Sequence, residues 1–232
     1  METIDIQSLP ITSKQCVLDL GCGEGRHSIA CVYHFDDVSV FGLDLSFNDI
    51  SKAHKKSTDF FQSEKITYLN GSGLLLPFAD SSIDHVICSE VLEHIDDYSA
   101  MLSEIKRVLK PQGSLSVSVP RQWPETICWA LSAEYHQVEG GHLRIFNARQ
   151  LINEISSCGF DFHRKHWVHA LHSVYWWLRC LCWNKGKDNS ISAIYHQLLV
   201  WDLIKRPVLT RVLETMLNPI LGKSVVLYFF KK

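Results

Sequence analysis

The chain has 232 residues, 46% hydrophobic and 21% charged, with a formal net charge of −2 and eight cysteines. That length suits one α/β domain with one sizeable core. The near-neutral balance, with no basic tract, argues against a nucleic-acid footprint.

Residues 1–15 read as a polar leader broken at Pro10. The acidic start has no apolar h-region, which predicts no secretory signal, a cytoplasmic protein and reduced thiols. A short buried strand is expected over 16–20, followed by glycines at alternate positions, Gly21, Gly23 and Gly25, and a helix from Arg26. Strand, glycine turn and helix open a nucleotide-binding βαβ unit. A dinucleotide site wants G-x-G-x-x-G for its pyrophosphate. Here the spacing is G-x-G-x-G, with Asp19 two residues before the first glycine. A carboxylate at the mouth repels phosphate and suits a cationic ligand such as S-adenosylmethionine. The stretch from Val17 to Gly25 resembles the first motif of the class I S-adenosylmethionine-dependent methyltransferases. That resemblance implies cofactor contacts from Asp19, Gly21, Cys22, Gly23, Gly25 and Arg26. Cys22 itself reads as a small residue in a tight turn, not a nucleophile.

The second strand, 38–44, ends in Asp44, placed to accept two ribose hydroxyls, with Leu45 next to it. Ser46 caps the helix over 47–60. Strand 3 covers 66–69. The loop Asn70-Gly71-Ser72-Gly73-Leu74-Leu75-Leu76-Pro77-Phe78 resembles the family's adenine loop, with Ser72 where aspartate is common. It adds Ser72, Gly73 and Leu74 to the cofactor set. Strand 4 covers 83–88 and delivers Ser89 to the carboxyl edge. A helix over 98–109, a turn at 110–113 and strand 5 over 114–119 follow. The resemblance runs in register over residues 14–120. It identifies the methyltransferase type 11 branch, with local likeness to ubiquinone-pathway O-methyltransferases. The fold it implies is a doubly wound, mostly parallel seven-stranded sheet, the Rossmann-like methyltransferase fold.

Beyond that, 120–141 reads as a long connection. A helix over 147–158 and strand 6 over 162–168 follow it, and 224–230 is strand 7. Between the last two strands lies an aromatic-rich helical insertion, 170–222, within a single domain, 1–232. Its first stretch, 170–183, is shorter than the ~20 residues a membrane span needs. A polar turn is expected at 184–190. Two apolar stripes follow, the second broken at Asn218-Pro219. The aromatics suit core packing, an apolar acceptor pocket or a homodimer interface. The stripes lack the basic polar face of a membrane-surface helix, which places peripheral membrane contact last.

Methyl transfer to oxygen or nitrogen needs the acceptor's proton removed by a base or a metal. Glu90, Glu93 and His94 stand at i, i+3 and i+4, one face of a helix if the chain turns helical there. This E-x-x-E-H pattern, with a later His142, resembles the metal site of ubiquinone-pathway O-methyltransferases and of small-RNA 2′-O-methyltransferases. It implies a divalent ion (Mg, Mn or Fe) on Glu90, Glu93, His94 and His142. The metal-free alternative uses His142 or His136 as base, with His94 lining the site. His163, His166, His169 and His172 read as lining or surface residues, not a zinc site. The reading is an S-adenosylmethionine-dependent methyltransferase, most readily an O-methyltransferase of a small apolar or aromatic acceptor. The alternatives are a non-catalytic cofactor-binding subunit and an RNA 2′-O-methyltransferase.

Overall fold

A computed structural model describes residues 2–61, 65–138, 140–183, 190–205 and 207–232. Strands buried on both faces read as continuous apolar runs, and this chain has such runs at β1 (Cys16–Leu20), β4 (Ile83–Ser89) and β7 (Ser224–Lys231). With β2 (Ser39–Asp44), β3 (Ile66–Asn70), β5 (Leu109–Pro120) and β6 (Phe160–Val168) they form one sheet of order β3-β2-β1-β4-β5-β7-β6. The first five strands pair in parallel, and β7 runs antiparallel to both β5 and β6. This is the expected seven-stranded, mostly parallel sheet.

Helices α1 (Arg26–His34), α2 (Phe47–Phe61) and α3 (Tyr98–Val108) join the parallel strands. The buried set on α3, Met101, Leu102, Ile105 and Val108, keeps the 3.6-residue period. Asp97 caps it by accepting from the Ala100 N–H at 2.9 Å. Arg107 of α3 donates to the Leu76 and Phe78 carbonyls and to Asp80, and so pins the loop after β3. Next come α4 (Gln122–Leu131), α5 (Glu134–Gln137), α6 (Ala148–Ser157), α7 (Ala170–Leu181), α8 (Ser190–Lys205) and α9 (Val208–Leu221).

The structure corrects the sequence reading in four places. The leader is not a solvated tail, since Ile4, Ile6, Leu9 and Ile11 are buried against β1, β2 and α1. Their backbone is satisfied individually: His27 Nε2 accepts the Thr3 and Ile4 N–H groups, each at 3.3 Å, and Tyr228 accepts that of Asp5. No local period announces such a segment. Strand 5 begins at Leu109, because Leu109 pairs with Ile83 and a bulge absorbs the predicted turn. The connection over 120–141 contains α4 and α5, whose Cys128 and Tyr135 pack under α7. Finally, α9 runs through Pro219, with Arg121 donating to the carbonyls of Pro219 and Ile220. That guanidinium occupies the place of the missing intrahelical partners at a helix C-terminus. The polar turn expected at 184–190 lies, save for Ser190, outside the described residues. Among the described residues no helix is long and apolar enough to cross a membrane.

Burial holds the His27 imidazole down at about 3, against an ordinary value of 6.5. Between those values the unfolded chain binds a proton that the folded chain does not. Stability at this site is therefore constant above pH 6.5 and falls as the pH drops. Urea unfolding at pH 7 and pH 5 should show wild type losing up to about 2 kcal/mol more than His27→Gln, which keeps the acceptor without the titration.

Candidate active site

Three turns at the carboxyl edge of the sheet are tied together by main-chain bonds. After β1, Gly21 and Cys22 donate to the Leu43 carbonyl at 2.8 and 3.1 Å. Gly23 donates to Asp44 Oδ2 at 2.8 Å, and Ser46 donates to Asp44 Oδ1 at 2.8 Å. After β3, the Gly71 N–H and the Asn70 side chain both donate to the Asp44 carbonyl. Gly21, Gly23 and Gly25 all have positive φ, at 69°, 51° and 79°. A Cβ on Gly21 would meet Val91 Cγ2 at 2.3 Å, and one on Gly25 would meet the Tyr68 hydroxyl at 2.4 Å. A Cβ on Gly23 would meet nothing within 4 Å. The turn is thus packed from behind and open only at Gly23, beside the Asp44 carboxylate. That carboxylate is anchored by one N–H on each oxygen and retains acceptor capacity.

The other residues named from the sequence fall in different places. Asp19 is buried beneath the turn, where its Oδ2 accepts the Ser28 N–H and hydroxyl. Burial, opposed by those bonds, raises its carboxyl to about 6. Burial also pushes the Cys22 thiol up, which leaves it without thiolate character. Arg26 borders a separate cleft with Glu2, Gln7, Tyr33 and Asp202. Leu45 is exposed beside Asp44. Ser72 accepts the Leu74 N–H, Gly73 packs on Met101, and Ser89 bonds Ser118 at 2.9 Å.

The acid–histidine pattern after β4 is not helical throughout. Glu90 takes a positive φ of 56°, and only Leu92–His94 makes a short 3₁₀ turn. Glu90 therefore turns to Ser118, whose hydroxyl donates to it at 2.8 Å, while Glu93 and His94 turn toward the loop before α6. Glu93 is fully buried, and both its carboxylate oxygens lack a partner. Burial and then the Glu90 charge hold its carboxyl well above the usual range. His94 Nδ1 lies 3.3 Å from the Gly141 carbonyl, so that nitrogen donates and Nε2 carries the lone pair. His142 Nδ1 lies 2.6 Å from Glu125 Oε1, which sets the same tautomer. The two imidazoles meet edge to face at 5.1 Å. Ligating atoms of Glu93, His94 and His142 all fall within 4.8 Å of one another.

Glu125 was not anticipated. Burial alone would raise its carboxyl, but His142 and Lys223 bring it down to about 2. It also accepts from the Trp129 indole at 3.2 Å and the Tyr135 hydroxyl at 3.4 Å. The only sequence signal was a lone acid in an apolar helix. His136 stacks on Trp129 at 4.1 Å, and its buried Nδ1 has no hydrogen-bond partner.

Residues 18–117 match the methyltransferase domain family. The chain carries a methyltransferase domain. Over 104 residues it is 34% identical to an O-methyltransferase of Pyrenophora dematioidea, covering 45% of this chain and 39% of that protein. It is 32% identical over 111 residues to a demethylmenaquinone methyltransferase of Bacillus licheniformis, covering 47% of each. In both cases the match spans less than half of the relative's length. The fold is that of Haemonchus contortus phosphoethanolamine N-methyltransferase 2 in complex with S-adenosyl-L-methionine, at a TM-score of 0.61 and 18% identity, over 96% of this chain and 50% of that one. The methyltransferase domain takes in the glycine turn, Asp44 and the Glu90–His94 segment. Glu125, His142 and α7 to α9 lie beyond it.

The packing behind the methyltransferase domain's glycine turn predicts unequal costs for two neighbouring substitutions. Gly23→Ala should cost about 1 to 2 kcal/mol for positive φ alone. Gly21→Ala adds the collision with Val91, for roughly 1 to 3 kcal/mol more. Denaturant titration of the two variants measures the difference, and equal losses would contradict the packing described.

Proposed function

We propose that this chain methylates a small apolar or aromatic acceptor at oxygen, using S-adenosylmethionine, with His142 as general base and Glu125 as its positioning residue. The observation that carries this is the 2.6 Å contact from His142 Nδ1 to a buried carboxylate, which leaves Nε2 free to take a proton. Glu125 then stabilises the imidazolium that forms.

The carboxyl edge of the sheet suits the cofactor. Asp44 can accept a ribose diol, and the opening at Gly23 admits a ligand against the main chain. When bound, S-adenosylmethionine supplies a methyl group on a sulfonium for in-line displacement by the acceptor oxygen. Asp44 would hold the ribose, and the turns carrying Gly23 and Ser72 would flank the adenosine. His142 would take the acceptor's hydroxyl proton on Nε2. The acceptor class is supported by the aromatic lining next to that imidazole. Tyr135 meets His142 edge to face at 6.0 Å and continues into Trp176 and Trp183. The exposed apolar residues of α8 and α9, among them Ile194, Ile204, Val208 and Met216, support a homodimer or membrane-surface contact for this part of the chain.

A second reading rests on the unpartnered oxygens of Glu93. With His94 and His142 they form a two-imidazole, one-carboxylate set that favours iron or manganese over magnesium. A divalent ion there would lower the acceptor hydroxyl's pKa. Glu93, His94 and His142 would hold it, with Glu125 orienting His142 from behind.

Calorimetry with S-adenosylhomocysteine should show Asp44→Asn binding about tenfold more weakly, as loss of a charged hydrogen-bond acceptor implies. In assays on a panel of small phenols and quinols, His142→Ala and Glu125→Gln should each lower kcat by on the order of 10²-fold or more, with cofactor affinity kept. Full activity in either variant would overturn the base assignment. Loss of activity in EDTA, restored by Fe²⁺ or Mn²⁺ but not in Glu93→Gln, would select the metal reading. Methylation of peptides or RNA alone would refute the acceptor class.

A further inference from the structure

The histidines around the start of α7 do not scatter. His169 takes a positive φ of 68° where β6 hands over to α7, and His172 follows within the first turn. His169 lines a cavity beside α9 with Thr210, Glu214 and Asn218, and His172 lines one beside α8 with His196, Leu199 and Asp202. Their rings meet edge to face at 5.6 Å. Glu214 of α9 completes the group: one ligating atom from each of His169, His172 and Glu214 lies within 4.8 Å of the others.

Two of these atoms are anomalous. His172 Nδ1 and Glu214 Oε1 are inaccessible to water and have no hydrogen-bond partner. Each such atom costs on the order of 1 to 3 kcal/mol, so two converging from separate helices call for a common partner. Backbone N–H groups of His169, Ala170 and Leu171 already bond the Glu214 carboxylate, yet its Oε1 stays without a partner. Ala170, at the N-terminus of α7, donates to Asn218 at 3.0 Å, and Ser173 donates to the Leu221 carbonyl at 2.6 Å. His169 Nε2 is 3.2 Å from the Thr3 hydroxyl, a contact that orients the ring. Asp202 of α8 borders the cavities on both sides of the group, of about 350 and 300 Å³. Thr210 donates to its Oδ1.

We propose that His169, His172 and Glu214 bind a zinc-class divalent ion that joins α7 to α9, with Asp202 of α8 lining the cavities beside it. Two imidazoles and a carboxylate are an established donor set for zinc, which accepts nitrogen and oxygen at about 2.0 to 2.2 Å in tetrahedral geometry. The ion's charge offsets the like charges of Glu214 and Asp202, and the cavities leave room for water as a remaining ligand. The site is made of residues separate from Glu93, His94 and His142, and it does not depend on the methyl-transfer reading.

The test uses the full chain, purified without a histidine tag, stripped with chelator and titrated with Zn²⁺ alone. Elemental analysis after gel filtration should give one zinc per chain in wild type and in Glu93→Gln. His172→Ala and the isosteric Glu214→Gln should bind at least tenfold more weakly. Zinc at 100 times its dissociation constant should raise the Tm of wild type by on the order of 5 °C and leave Glu214→Gln nearly unmoved. Co²⁺ in place of zinc should give the visible absorption of a tetrahedral site, which a merely structural effect of the substitutions would not produce. Absence of bound zinc in wild type would overturn the proposal. So would unchanged stoichiometry in both His172→Ala and Glu214→Gln, or loss of zinc in Glu93→Gln.

Discussion

The buried carboxylate of Glu125 is the interaction on which the second half of this molecule depends. An ionised acid out of water is tolerated only when paired and hydrogen-bonded on several sides. Here the partners come from four places in the chain: His142 before α6, Lys223 before β7, Tyr135 of α5 and Trp129 of α4. Satisfying one charge therefore fixes where α4 lies, where the insertion returns to the sheet and which way the His142 ring faces. The same bonds hold the carboxyl at about 2, below the ordinary range for a glutamate. A side chain that organises packing is also the one that sets a tautomer, which links the stability of this region directly to its chemistry.

The carboxyl edge of the sheet follows a different logic. It is built largely from main chain, with the turns after β1 and β3 both bonded to the end of β2 through backbone groups and the Asp44 and Asn70 side chains. Backbone donors survive every substitution except proline, and glycine at positive φ lets the first turn lie against Val91. Such an edge is a rigid floor, suited to a ligand shared by many enzymes. The aromatic cluster, by contrast, is made of side chains from α4, α5 and α7, which follow the matched methyltransferase domain in sequence. Loops and appended helices of this kind can vary without disturbing the sheet.

The insertion has a weak apolar core for its length. Much of α8 and α9 is exposed, including Ile191, Ile204, Val208, Leu209 and Met216. Helices that bury so little of their apolar surface against their own domain gain little from the hydrophobic effect. Polar contacts between the helices then matter more, and His169, His172 and Glu214 gather at the α7–α9 junction.

What the sequence by itself determined is the part governed by local rules. β1 to β4, α1 to α3 and β7 were legible within a residue or two at nearly every boundary because apolar period, glycine spacing and helix caps act over a few residues. Asp44 and the glycine turn were legible for the same reason, since strand and turn are neighbours in the chain. His142 and the Glu93-His94 pair were visible as candidates, but not their partner. Only the tertiary structure decided that Glu90 turns away through a positive φ, that Asp19 lies under the turn and that the leader is buried. It alone brought Glu125 to His142 and Glu214 to His169 and His172. The physical reason is common to all of these. Each depends on where two separately folded elements meet, and a contact across sequence distance leaves no period or spacing in either segment.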